Sequence, residues 1–76
     1  MKTLAAILGG IRPEFDFTTS KDFLMDGMLD SFDVVTLVAT LDNTYRISIE
    51  GVDIVPENFL NLATIETLLR KYGVNP

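Results

Sequence analysis

The 76-residue chain contains no cysteine, no histidine and no tryptophan. Without cysteine there is no disulfide, no thiol nucleophile and no thiolate ligand for a metal; without histidine there is no imidazole for acid–base chemistry. Packing alone must hold the fold, and the redox state of the compartment leaves no mark on the composition. Basic residues are also few, six Lys and Arg against eleven Asp and Glu, for a net charge of −5. Phosphate backbones and anionic lipid surfaces repel a chain of this sign, which argues against nucleic acid and membrane partners and for proteins with basic patches. No hydrophobic run approaches the ~20 residues of a membrane span. The first residues, Lys2 and a short apolar run, imitate a secretory leader, but the run stops at Arg12-Pro13 with no small-residue cleavage site. The segment reads as mature sequence and the protein as cytoplasmic and monomeric.

What is present is a core. Hydrophobic residues make up 47% of the chain, too many for a disordered tail, and 76 residues suffice for one domain over 1–76 but not for a deep catalytic cleft. Leu4, Ile7, Leu8 and Ile11 share a helix face, which Gly9-Gly10 and then Pro13 are expected to cut short near residue 9. Residues 12–30 keep no helical period. Their aromatics Phe15, Phe17 and Phe23 are expected to wrap this long connection over the core. Val34, Val35, Leu37, Val38, Leu41 and Tyr45 then predict the longest helix, Ser31 to Tyr45, with its apolar residues inward. The alternation through Ile47, Ile49, Val52 and Ile54 is broken by Gly51 and reads as loop, followed by a short turn over Pro56–Phe59. Thr64 as N-cap, Arg70 and Lys71 at the far end and Gly73 as stop predict a last helix over Thr64–Tyr72. The expected fold is all-α, three main helices plus one short one, around Val34, Leu37, Val38, Leu41, Ile54, Phe59, Ile65 and Leu68.

The stretch "GMLDSFD", Gly27–Asp33, carries the chemistry. With Asp30 as N-cap, Asp33 falls at N3 and the pair forms an acidic analogue of the capping box. That leaves Ser31 at N1 with a spare, solvent-facing hydroxyl; a Ser31 cap would put Val34 at N3 and make no box. A calcium loop beginning at Asp26 fails, because Met28, Ser31 and Leu37 stand where an acid, glycine and bidentate glutamate are required. A serine hydrolase fails for want of a base near the nucleophile. The serine is therefore read as one that is acted upon, in a chain that is not itself an enzyme.

"GMLDSFDVVTLVATLDNTYRI", followed by "FLNLATIETLL", resembles the acyl and peptidyl carrier protein family over most of the chain. The resemblance implies that Ser31 carries 4′-phosphopantetheine, that Asp30 is the acid preceding it, and that Phe32 fills the apolar position usually held by Leu or Met. It also implies a phosphopantetheinyl transferase, an acyl- or aminoacyl-loading enzyme and downstream synthases of fatty acid, polyketide or nonribosomal-type biosynthesis as partners. The second helix departs from fatty acid carriers in having only Asp33 and Asp42 where those carry several glutamates, and "GMLDSF" looks closer to stand-alone carriers. Partners are expected to dock on Met28, Phe32, Asp33, Thr36 and Asp42, with a core position for Phe32 the competing reading. The small core has little room for a long chain, so a short or polar cargo is expected. The alternative is a helical protein–protein interaction domain whose serine is incidental to the cap.

Overall fold

Apolar residues at three- and four-residue spacing draw the chain into three α-helices: α1 over Leu4–Ile11, α2 over Ser31–Tyr45 and α3 over Leu62–Lys71. The computed structural model describes residues 3–76 and contains no strand among them; Lys2, which opens the leader-like segment, lies outside the described residues. Single 3-10 turns form at Gly51–Asp53 and Pro56–Asn58. The second matches the turn expected there, while the first lies in what the alternation pattern reads as plain loop. No helix among the described residues is long and apolar enough to cross a membrane.

Two helix boundaries differ from expectation. α1 runs through Gly9 and Gly10 to Ile11, because neither glycine is forced out of helical geometry. Pro13 sets the limit instead, driving the residue before it out of the helical region: Arg12 caps the helix at φ −132° and ψ 82°, with its N–H on the Leu8 carbonyl at 2.9 Å. α3 begins at Leu62, two residues before the predicted cap. Asn61 Oδ1 accepts from the Thr64 N–H at 2.9 Å while Thr64 Oγ1 accepts from the Asn61 N–H at 3.2 Å, so Thr64 is the N3 partner in a box that Asn61 caps. Gly73 ends α3 as predicted. At φ 81° it lets its own N–H reach Arg70 O and that of Val74 reach Leu69 O, both at 3.0 Å.

The core lies where the helices meet, with α1 packed on both α2 and α3. Leu4, Ile7 and Leu8 of α1, Leu37, Val38 and Leu41 of α2 and Ile65, Leu68 and Leu69 of α3 are buried. Two residues expected inside are not. Val35 is 65% exposed because, at about 100° per residue, it stands roughly 60° beyond Val38 on the helix surface. Ile54 is 37% exposed because the inward position at the end of the first 3-10 turn is taken by Asp53. Met28, expected on the partner surface, is instead a core residue at 7% exposure.

The connection over residues 12–30 wraps the core as its aromatics predict. Phe15 meets Phe17 and Phe17 meets Phe23 edge to face, with centroids 6.3 and 5.0 Å apart. The Phe23 N–H donates to Leu60 O at 2.6 Å, and its carbonyl accepts from Met28 and Leu29. Asn61 Nδ2 donates to Lys21 O at 3.0 Å, so the same asparagine that caps α3 pins the connection.

The buried carboxylate of Asp53 ties the first 3-10 turn to the end of α3. It accepts from Lys71 Nζ at 2.8 Å and from the Tyr72 hydroxyl, which itself accepts from the Glu50 N–H at 2.9 Å. The hydrogen bonds from Lys71 and Tyr72 hold the Asp53 carboxyl below its ordinary pKa; those same contacts with Asp53 raise Lys71 and Tyr72 above theirs.

These shifts give a pH window. Asp53 is depressed, so its contribution is complete above the unfolded carboxylate value of about 4 and is lost as pH falls through the lower folded value. Lys71 and Tyr72 are raised, so theirs is complete below about 10 and is lost as pH rises through the higher folded values. Thermal melts should show a plateau between these limits, and Asp53→Asn should lower the plateau and flatten its acid edge. In α1, Gly9→Ala should stabilise the fold by about 0.5–1 kcal/mol, since the helix carries no need for glycine and a Cβ meets no atom within 4 Å. Denaturant midpoints measure this, and an unchanged or lower midpoint would place the end of α1 before Gly9.

Candidate functional site

α2 begins as the "LDSFD" stretch predicts. Asp30, extended at φ −113° and ψ −175°, accepts from the Asp33 N–H through Oδ1 at 2.9 Å, and Asp33 Oδ2 accepts from the Asp30 N–H at 3.1 Å. The Asp30 carbonyl takes the first helical bond, from Val34 at 3.0 Å. Ser31 is consequently the first helical residue and is exposed, and its hydroxyl enters no side-chain hydrogen bond among the described residues. The N–H groups of Ser31 and Phe32 precede the first intrahelical bond and likewise have no acceptor among them.

A cation that sequence reading missed joins this turn. Arg12, the C-cap of α1, directs Nε to Asp33 Oδ2 at 2.8 Å, Nη2 to Asp30 Oδ2 at 3.3 Å and Nη1 to Glu14 Oε2 at 3.5 Å. Burial works to raise the Asp33 carboxyl, but the Asp30 N–H and the Arg12 guanidinium together outweigh it and hold the group below its ordinary pKa. Arg12 is raised in turn, chiefly by its hydrogen bond to Asp33. The sequence signal was faint: an arginine closing an apolar helix, with its partner acid 21 residues away.

Beside Ser31 lies a surface groove of about 350 Å³ lined by Leu24, Val34, Val35, Ile54, Val55 and Pro56. Phe32, the next residue along, is 82% exposed, which settles its place outside the core. Exposed Met25 and Val52 add apolar surface on the neighbouring loops.

The remaining residues expected to meet partners divide differently. Thr36 is exposed but lines a separate groove with Asp33, Thr40 and Thr44 against Ile7, Gly10 and Ile11 of α1. Asp33 is only 14% exposed at its side chain and is held by Arg12. Asp42 receives the Ile49 N–H on Oδ1 at 3.0 Å and the Ile47 N–H on its carbonyl at 3.1 Å, where the chain leaves α2 through Arg46 at φ 55°. Both acids of α2 are thus engaged within the chain, and Met28 is buried; of the five, Phe32 and Thr36 are exposed.

The chain matches no family model, no curated protein and no solved structure. If Asp30 caps α2 and Ser31 does not, Asp30→Ala should cost about 1 kcal/mol of stability. Ser31→Ala, by contrast, should move it by no more than about 0.5 kcal/mol. Chemical denaturation of the two variants checks this, and a larger loss at Ser31 would mean that the serine hydroxyl supports the fold.

Proposed function

We propose that the chain is an acyl carrier protein: Ser31 takes 4′-phosphopantetheine in phosphodiester linkage, and the loaded chain presents an acyl or aminoacyl group to partner enzymes. The observation that carries this reading is the exposed Ser31 hydroxyl, with no partner among the described residues, held at the first position of a helix whose cap is supplied by its neighbour. A serine used for capping would have its oxygen committed to a backbone N–H; this one is available to a modifying enzyme.

The surrounding residues fit the group. The unpaired N–H groups of Ser31 and Phe32 and the positive end of the α2 dipole favour a phosphodiester there. Leu24, Val35 and Ile54 give the arm an apolar surface to lie against. When bound, the arm supplies the terminal thiol that the cysteine-free chain lacks and holds the cargo as a thioester. Ser31 anchors the tether, which raises the effective concentration of cargo at each partner. Phe32 offers an exposed aromatic anchor next to the attachment point, the kind of side chain that dominates binding energy when buried in a partner. A short or polar cargo suits the site, because Leu37, Leu41 and Phe59 are fully buried and the groove is a surface feature bounded by half-exposed side chains. Biosynthetic pathways of the fatty acid, polyketide or nonribosomal type provide such partners.

The exposed apolar group of Met25, Phe32, Val35 and Val52 also favours a second reading, a small interaction domain that binds a protein through this surface and carries no prosthetic group. One experiment separates the two. Incubated with coenzyme A, magnesium ion and a broad-specificity phosphopantetheinyl transferase, the wild-type chain should gain the mass of one arm and Ser31→Ala should gain none. A wild-type chain of unchanged intact mass would favour the interaction domain, and a modified Ser31→Ala would move the attachment site.

A further inference from the structure

We infer that Arg12 is a positioning residue for group transfer to Ser31: it holds both carboxylates of the α2 cap and offsets their charge where an anionic donor must approach. This rests on the carrier reading. One guanidinium reaches Asp33 at 2.8 Å, Asp30 at 3.3 Å and Glu14 at 3.5 Å. The cap does not require it, because Asp30 and Asp33 already satisfy each other's backbone N–H groups. What the cap creates is a pair of carboxylates on either side of Ser31, one immediately before it and one two residues after. Arg12 comes to them from another helix, across 18 and 21 residues of chain. Its side chain stays about one-third exposed, open to solvent beside the cap.

The chemistry at Ser31 makes that charge matter. In the transfer, Ser31 Oγ forms a bond to the phosphorus of coenzyme A that bears the pantetheine, and the pyrophosphate P–O bond breaks. The adenosine bisphosphate leaves with the electron pair, and the hydroxyl proton passes to a base of the transferase. The donor brings a pyrophosphate to within bonding distance of Ser31, flanked by Asp30 and Asp33. In bulk water one uncompensated unit charge about 4 Å from another changes binding by roughly fivefold, and more where water is excluded. Arg12 removes part of that repulsion, its one positive charge being shared among the carboxylates it pairs with, and its fork keeps the oxygens of Asp30 and Asp33 turned towards α1.

The test compares wild type, Arg12→Gln and Arg12→Lys as substrates of the transferase, with kcat and KM for the carrier chain measured at two salt concentrations and thermal melts as a control. At about 0.05 M salt Arg12→Gln should show a KM raised about three- to tenfold with kcat within about twofold. At about 0.5 M, where the Debye length shortens to about 4 Å, its KM should return to within about twofold of wild type. Arg12→Lys, which keeps the charge, should recover most of the loss at low salt. An unchanged or lower KM in Arg12→Gln would overturn the inference, as would a defect that persists undiminished at high salt, since a purely structural role is not screened. Should Arg12→Gln melt below the working temperature, Arg12→Lys carries the test: a KM within about threefold of wild type supports charge compensation, and a tenfold rise overturns it. A wild-type chain that takes no arm at either salt overturns the carrier reading itself, and this inference with it.

Discussion

Asp30 and Asp33 exchange hydrogen bonds across the first turn of α2, and the rest of the site is arranged by that exchange. Because the aspartates satisfy one another's N–H groups, the helix starts at Ser31 with the serine hydroxyl uncommitted. Helical rotation then carries Phe32 outward and Asp33 towards α1. The end of α1 is drawn in as well, since its capping arginine has two acids to pair with. A local device of four residues thus sets the start of one helix, the approach of another and the exposure of one hydroxyl.

The opposite wall of the groove depends on a second polar cluster. Ile54, Val55 and Pro56 face Ser31 across it, and they follow directly on Asp53, whose carboxylate is held by Lys71 and Tyr72 and whose carbonyl accepts from Asn58 Nδ2 at 2.8 Å. A buried carboxylate with two bonded neighbours, together with the bond from Asn58 to the Asp53 carbonyl, constrains this loop. The groove is thus an apolar surface whose two walls each adjoin a charged cluster, Asp30 and Asp33 with Arg12 by α2 and Asp53 with Lys71 by the loop.

The three-helix architecture was legible in the sequence wherever one rule acted alone. The Asp30 cap and the glycine stop at Gly73 follow from local hydrogen-bonding rules, the end of α2 at Tyr45 from the apolar period, and all three stand where those rules put them. Errors arose where two rules competed. Gly9-Gly10 look like breakers, but glycine is merely weak in a helix whereas Pro13 sterically disfavours a helical residue before it. Thr64 and Asn61 are both good caps, and the outcome was decided by which pair could bond reciprocally. Within the site, the position of Ser31 was legible and the fate of the acids was not. Composition counts Asp33 and Asp42 as surface charge, yet their partners, Arg12 and the Ile49 N–H, are supplied by distant or turning chain that no periodicity reveals.

The pinning of the long connection has a consequence for where such a chain can fold. The bond from Asn61 Nδ2 to Lys21 O closes a span of 40 residues, and the Phe23–Leu60 bond closes it again a few residues further in. Closing a loop of that length costs about 4 kcal/mol of chain entropy, the kind of constraint that small domains commonly assign to a disulfide. Here the closure is made by a side-chain amide and a main-chain bond, beside two edge-to-face ring contacts that fold the connection onto itself. With no thiol involved, the clasp is equally strong in reducing and oxidising surroundings, and the folding of the chain is independent of both.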